Sequence, residues 1–171
     1  MKFALFKKIF KKSEKIYFST KGNKYYLTNG HVALQFDKDL RSEILENIGF
    51  AGCELEKFAI VKEYGKTQII KDIGIDIYSY FEDVDTIPAK YTDIILDGIK
   101  KEKVFDVGEG LLMFDFDYID MAFQLTDTLI NVHYSKELRA LYFYSDKVNV
   151  FILSLRTNKK KNIYLSKKFL V

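Results

Sequence analysis

The chain has 171 residues, of which 48% are hydrophobic and 16% aromatic, and its formal net charge is +3. This composition is typical of a folded globular protein and excludes a disordered chain. The single cysteine, Cys53, excludes an internal disulfide, and no apolar run is long enough to cross a bilayer, so we expect a cytoplasmic protein.

The first predicted element is an amphipathic helix over FALFKKIFKK, residues 3–12. At 3.6 residues per turn, its lysines share an arc of roughly 140° and its apolar side chains fill about 160° on the other side. The basic arc holds Lys7, Lys8, Lys11 and Lys12, and the apolar arc holds Phe3, Leu5, Phe6, Ile9 and Phe10. Three surroundings suit such a helix: an anionic membrane, a nucleic acid, or water on one side of an ordinary core.

Strand patterns follow this helix. The sequence predicts a strand in KIYFST (15–20) and two more in KYYLTNGHVALQF (24–36), with a bend at Asn29-Gly30. LRSEILENI (40–48) has helical spacing and ends before Gly49. Next we expect a hairpin around Gly65-Lys66, a strand over residues 73–81, and a loop FEDVDTIP that ends at the only proline. Residues 91–101 suit either a helix or a strand.

The last third predicts a strand over 110–116, a short helix over 117–125, and three successive strands over 129–135, 137–146 and 147–156. Ser145-Asp146 marks the turn between the last two strands, and 157–171 form a basic tail with a possible extra strand. Each end of the chain thus supplies a short amphipathic helix followed by antiparallel strands. This order predicts an α+β fold with antiparallel sheets and helices packed on one face, in a single domain with an insertion at about residues 40–108.

Residue patterns that carry catalysis are sparse. His31 and His133 fall on separate strands, and with a single cysteine they make no zinc set. No glycine-rich phosphate loop and no nucleophile motif occurs. The carboxylates of Asp115, Asp117 and Asp120 are able to hold Mg²⁺, but they also suit a helix N-terminus, which is the interpretation we favour. We therefore expect no enzyme, no metal site and no cofactor.

Two stretches together resemble the DNA sliding clamps, the ring-shaped processivity factors of replication. In the first stretch, the helix and KIYFST lead into LTNGHVAL, which is similar to the clamp motif L-T-D-G-H-R-L-A, with Asn29 and Val32 in place of its aspartate and arginine. The second stretch is LMFDFDYIDMAFQL followed by LINVHYSKELRALYFYSDKVNVFILSLR, and it is similar to the later half of a clamp domain. Ser154 stands where the family usually has proline.

The resemblance implies a clamp-like architecture, with helices that pack on a sheet and turn basic side chains toward duplex DNA. The DNA contacts it implies are Lys7, Lys8, Lys11, Lys12 and Lys15 near the start, and Lys159, Lys160 and Lys161 in the tail. Clamp partners dock on an apolar pocket beside the final strand, which here corresponds to Phe151, Leu153 and Leu155. The resemblance also implies a homo-oligomer and a replication partner such as a DNA polymerase. One departure is the second helix, which is acidic where a DNA-lining helix is basic.

Other interpretations stay open from the sequence alone. The chain also suits an interaction or inhibitor protein that has the clamp-like architecture but contacts another protein and no DNA. A membrane is disfavoured, because a β-rich domain follows the helix at once and needs its apolar side. The lysines of the tail also suit a solvated loop. Tyr25, Tyr26, Tyr142 and Tyr144 suit base stacking or, as we prefer, cross-strand packing.

Overall fold

The computed structural model describes residues 1–71, 75–97, 100–126 and 132–154. Its helices are α1 (Ala4–Lys12), α2 (Arg41–Ile48) and α3 (Phe116–Thr126), with 3-10 turns at Lys38–Leu40 and Tyr78–Tyr80. The strands are β1 (Lys15–Lys21), β2 (Lys24–Thr28), β3 (Val32–Asp37), β4 (Phe58–Glu63), β5 (Lys66–Lys71), β6 (Ile87–Pro88), β7 (Lys90–Asp97), β8 (Lys101–Asp106), β9 (Leu111–Asp115), β10 (Val132–Ser135), β11 (Ala140–Phe143) and β12 (Val148–Leu153). Within these ranges no helix has the length and apolarity needed to span a membrane.

Nine strands form one sheet in the order β5-β4-β1-β2-β3-β12-β11-β10-β6. Every neighbouring pair in it is antiparallel. The order of the six central strands is symmetrical about the β3–β12 pair, in which Leu34 lies opposite Val150. Each half of this arrangement is a helix followed by three antiparallel strands. The first half is α1 with β1–β3, the second is α3 with β10–β12, and the two halves meet at the β3–β12 pair. The predicted α+β class with antiparallel sheets is confirmed.

Helices cover the first face of the large sheet. Phe6 and Phe10 of α1 are fully buried in the same core as Phe18 and Leu34 of the sheet. The predicted apolar arc is confirmed, because its other members, Phe3, Leu5 and Ile9, also pack against this core. α1 and α3 lie side by side, and the backbone N–H of Lys2 donates to the carbonyl of Gln124 at 2.8 Å.

Residues 75–86 cover the second face of the large sheet. Ile77 is fully buried there with Tyr26, Tyr142 and Phe151, since alternate side chains of a strand point to opposite faces. The strand predicted over 73–81 is wrong in its described part, 75–81, which contains the 3-10 turn Tyr78–Tyr80 instead. The turn forms because the Asp76 side chain accepts the backbone N–H of Ser79 at 3.0 Å, a local bond that competes with strand pairing.

A second, three-stranded sheet, β7-β8-β9, packs beside α3. Residues 91–101, for which the sequence left helix and strand open, lie largely in β7. The insertion predicted at about 40–108 is spread over the fold. β4 and β5 extend the large sheet, residues 75–86 cover its second face, and β7 and β8 join β9.

A predicted helix end and a predicted turn are confirmed, and the turn of a predicted hairpin is shifted by one residue. α2 ends at Gly49, whose φ of 91° is the left-handed conformation that glycine adopts most easily. The hydroxyl of Ser145 donates to the Val148 carbonyl at 2.7 Å and so closes the turn before β12. The β4–β5 hairpin turns at Tyr64-Gly65, one residue earlier than predicted, with Glu63 paired to Lys66.

Candidate nucleic-acid interface

The basic face consists of Lys7, Lys8, Lys11 and Lys12, whose side chains are exposed on the side of α1 opposite its buried phenylalanines. Lys11 and Lys12 stand in the last turn, where positive charge is favourable to the helix dipole. Among the described residues, only Lys8 of these four has a carboxylate partner. Three of the four ammonium groups thus remain available to an external anion.

Lys15 is exposed at the start of β1, three residues after the end of α1. Within the described ranges its ammonium group takes part in no ion pair. It therefore extends the positive surface beyond the C-terminal end of the basic face.

Lys62 of β4 is a basic residue near this surface that the sequence analysis missed. Its Nζ donates to the carbonyl of Lys11 at 2.7 Å and lies 3.4 Å from that of Phe10, so it satisfies the exposed carbonyls at the end of α1. Burial lowers the pKa of Lys62, and the neighbouring charge of Lys11 lowers it further. Its position depends on the pairing of β4 with β1, in which Val61 lies opposite Lys15, and no local pattern indicates that pairing.

Carboxylates of α3 lie next to the basic face. Nζ of Lys8 is 3.4 Å from Oδ2 of Asp117, and both side chains are about half exposed. A surface pair of this kind contributes only about 0–1 kcal/mol, so a polyanion competes with it at little cost. The acidic character of α3, already visible in the sequence, nevertheless reduces the positive potential beside α1.

The other two carboxylates of the Asp115, Asp117 and Asp120 set also have partners within the chain. Oδ1 of Asp115 accepts the backbone N–H groups of Asp117 at 3.0 Å and Tyr118 at 3.4 Å, and its Oδ2 lies 3.7 Å from Nζ of Lys100. Asp120 accepts a hydrogen bond from Lys103. The helix N-terminal role that we favoured is confirmed for Asp115. In the part of the chain that the structure describes, no three His, Cys, Asp or Glu side chains come together as a metal site needs.

The turn at residues 28–31, which carries the T-N-G-H sequence, connects the end of α1 to the sheet. Asn29 Oδ1 accepts the N–H groups of His31 at 3.0 Å and Val32 at 3.1 Å, while its Nδ2 donates to Ser13 Oγ at 3.0 Å. Gly30 has a φ of 88°, which a residue with a Cβ rarely adopts. His31 lies in this turn between β2 and β3, outside the strand on which the sequence analysis placed it.

A cleft of about 510 Å³ opens between this turn, the end of α1 and the start of α3. Lys12, Lys15 and Lys100 line it together with Glu14 and Asp117, so its charge is mixed. On one wall the ring of His31 stacks on that of Tyr118, with the centroids 6.2 Å apart. Burial raises the pKa of the Tyr118 phenol, a hydrogen bond with Asn29 opposes this rise, and the charges of Asp115 and Asp117 add to it.

The three residues implied as a partner pocket differ in position. Phe151 is only 2% exposed, because the Tyr80 ring stacks on it at 5.0 Å and Phe81 packs beside it. Leu153 is 37% exposed at the end of β12, and its N–H donates to the His31 carbonyl. Leu155 lies outside the described residues, as do Lys159, Lys160 and Lys161 of the basic tail.

The strand tyrosines pack within the protein. Tyr25 lies opposite Phe36 in the β2–β3 ladder, and the two rings stack at 6.0 Å. Tyr142 and Tyr144 stack on each other at 5.9 Å, and Tyr26 is buried under the ring of Phe81. The preferred interpretation as cross-strand packing is confirmed for Tyr25 and for Tyr142, whose ring lies 5.2 Å from that of Phe151 opposite it. Tyr26 and Tyr144 also pack within the protein, but their ring contacts are not with a residue opposite them in a ladder.

Comparison of the chain with protein-family models, with curated protein sequences and with solved structures gives no match.

Proposed function

We propose that this protein binds duplex DNA without sequence preference through the basic face, as one subunit of a clamp-like assembly that also engages a replication protein. The proposal rests on the difference between the two sides of α1, one apolar and buried and the other basic and exposed. Its phenylalanines are fully buried against the sheet, and its four lysines project together into solvent. A helix anchored in this way keeps the four flexible lysine side chains together in one array on the surface.

Such an array suits the phosphate backbone better than it suits base edges. Duplex DNA carries one negative charge per about 1.7 Å of its axis, and each phosphate neutralised by a lysine releases condensed counterions. A lysine ammonium is a point charge without the planar fork that arginine uses to select guanine. Contacts of this kind hold the duplex but carry no sequence information, which is what a mobile clamp requires.

The burial of α1 also argues against a lipid surface. A membrane-binding helix inserts its apolar side into the boundary between headgroups and acyl chains. Here Phe6 and Phe10 are fully buried in the core, and the Phe3 ring packs edge-on against Phe6 at 5.8 Å. The apolar side is therefore committed to the protein, and only the basic face is left for a ligand.

The test is a salt titration of duplex binding, measured by fluorescence anisotropy on short labelled duplexes of unrelated sequence. The wild-type protein is compared with a variant in which Lys7, Lys8, Lys11 and Lys12 are replaced by glutamine. Each lost phosphate contact reduces the slope of log K against log salt by about 0.9. We expect the variant to lose about three to four units of slope and to bind all duplexes equally poorly.

A matched control replaces four exposed lysines outside α1, namely Lys38, Lys57, Lys136 and Lys147, and so removes the same total charge. If the proposal is right, this control keeps nearly all of the wild-type slope. Equal losses in the two variants would show that only net charge matters, and that result would refute a specific role for the basic face.

A second candidate function is a protein–protein interaction module that has the same architecture but ignores DNA. The pairing of Lys8 with Asp117 favours it, because α3 places carboxylates in the same layer as the basic face, where they repel phosphates. Absence of duplex binding even at low salt would select this second function.

Recruitment of a replication protein and assembly into a homo-oligomer complete the first proposal. Of the three residues implied as a partner pocket, Leu153 has an exposed side chain, whereas Phe151 is covered by the chain's own aromatic residues. Leu153→Asp is therefore the variant that tests recruitment. It should reduce binding to the partner polymerase and leave duplex binding unchanged.

A further inference from the structure

The cleft at the end of α1 is continuous with the basic face. Lys12 belongs to the basic face and also lines the cleft, and Lys15 lines it at the start of β1. Within the described ranges neither ammonium group takes part in an ion pair. A DNA strand that runs past the C-terminal end of the basic face therefore meets the cleft next.

The charges that line the cleft balance. Its three lysines, Lys12, Lys15 and Lys100, are matched by three carboxylates, those of Glu14, Asp115 and Asp117. Two of the carboxylates have partners in the chain, because Asp115 accepts backbone N–H groups of α3 and faces Lys100, and Asp117 pairs with Lys8. A small anion alone is a poor ligand for a lining without net charge, so a ligand of this cleft needs a contact besides phosphate.

The aromatic wall of the cleft supplies such a contact. The exposed ring of His31 lies nearly parallel to that of Tyr118, at an interplanar angle of 21°. In the described part of the chain no other ring packs on His31, so one side of the imidazole is open. Stacked protein rings offer a platform on which a nucleic-acid base adds a further layer.

The polar side chain nearest to this wall is already engaged. Asn29 accepts the backbone N–H groups of His31 and Val32 through Oδ1 and donates to Ser13 through Nδ2. Its amide is therefore not free to read the edge of a base. Stacking without such hydrogen bonds accepts any base, since every base has an aromatic face.

We propose that the cleft binds a nucleotide of single-stranded DNA that adjoins the duplex, with its base stacked on the open side of His31 and its phosphates near Lys12 and Lys15. The volume of about 510 Å³ lies within the range of small-ligand sites, roughly 300–1,000 Å³. This inference rests on the proposed function, because the duplex on the basic face delivers the strand to the cleft. It adds a substrate class, since such a protein prefers a junction of duplex and single strand to a blunt duplex.

The first experiment compares three labelled DNAs by fluorescence anisotropy. One is a blunt duplex, the second carries a single-stranded overhang of about six nucleotides, and the third carries an abasic sugar-phosphate overhang of the same length. Overhangs of both polarities are tested. One stacked base raises affinity by roughly 5- to 150-fold, so the wild-type protein should bind the second DNA at least about fivefold more tightly than the other two. Equal tightening by the abasic overhang would show that charge alone is responsible, and would overturn the inference.

A matched pair of variants, His31→Leu and His31→Phe, isolates the aromatic face. Both new side chains are uncharged and are able to cover the Tyr118 ring, but only phenylalanine offers a ring to a base. The backbone of His31 bonds to Asn29 and Leu153 without using the imidazole, so the fold should survive, which circular dichroism checks. His31→Leu should reduce the preference for the overhang to less than about twofold, and His31→Phe should keep it. Neither change should alter binding of the blunt duplex.

The outcomes separate this inference from the proposed function. A protein that binds the blunt duplex but shows no preference for the overhang, or keeps that preference in His31→Leu, would overturn the inference and leave the proposed function intact. Equal losses in the two His31 variants would also overturn it. Binding of a free single strand that depends on an aromatic residue at position 31, without binding of the blunt duplex, would support the cleft and refute the proposed function. Absence of all DNA binding would overturn both.

Discussion

Replacing Asp120 by asparagine removes the negative charge that faces the ammonium group of Lys103. The Lys103 side chain is only 9% exposed, while that of Asp120 is 29% exposed. Three rings surround the ammonium group, with centroids 4.7 Å away for Phe116, 5.2 Å for Phe123 and 5.3 Å for Tyr91. This group links the small sheet to α3, because Lys103 belongs to β8 and Asp120, Phe116 and Phe123 belong to α3.

The size of the effect follows from these surroundings. Removing one partner of a fully buried pair costs about 3–5 kcal/mol, since the other charge is left uncompensated. The partial exposure of Asp120 reduces this figure, and the aromatic faces still supply roughly 0.5–2 kcal/mol of cation–π attraction. We therefore expect Asp120→Asn to lower the free energy of unfolding by about 2–3 kcal/mol, which corresponds to a fall in Tm of roughly 4–12 °C.

Lys103→Met should cost less, about 1–2 kcal/mol, although it removes the same ion pair. Methionine fills the same apolar space without a buried charge, and Asp120 is exposed enough to be solvated. Urea denaturation of both variants measures the two values. Asp97→Asn is the matched control, because its carboxylate is exposed and lies 3.9 Å from Lys101, and it should change stability by less than about 0.5 kcal/mol. An equal or reversed order of the two main variants would refute the argument that the stranded ammonium group dominates.

Phe10→Ala should destabilise the protein by about 3–5 kcal/mol in urea denaturation, because the ring is fully buried, and a loss below about 1 kcal/mol would contradict the packing of α1. Asp117→Asn should tighten duplex binding at low salt, because it removes a carboxylate that competes for Lys8 and repels phosphates; an unchanged affinity in the anisotropy titration would show that this pair lies outside the duplex contact. Folding lowers the pKa of Lys62 from 10.5, so between the folded-state pKa and 10.5 the unfolded chain binds more protons than the folded one. The free energy of unfolding should therefore rise with pH across that range. Lys11→Gln should raise that pKa by removing a neighbouring positive charge, as an NMR titration of the Lys62 side chain would show, and a fall would contradict the assignment.

Features that depend on a few neighbouring residues were predictable from the sequence. The two sides of α1 follow from the 3.6-residue period, the end of α2 from Gly49, and the bend between β2 and β3 from Asn29-Gly30. The exposed lysines of the basic face are part of the same pattern, because a residue opposite a buried stripe has to face the solvent. The sequence alone therefore determined the local conformations and the polarity of α1.

The surroundings of those elements were decided by contacts between distant parts of the chain. The pairing of β3 with β12 joins residues more than a hundred positions apart, and the placement of Lys62 at the end of α1 depends on the pairing of β4 with β1. Residues 75–81 have the alternation of a strand, yet they lie across the large sheet and bury Phe151, because their apolar side chains pack on that face while Asp76 caps a tight turn. Periodicity shows which side of a segment is apolar, but it does not show which surface will cover that side. That choice depends on the summed burial and hydrogen bonding of the whole fold, and only the tertiary structure contains it.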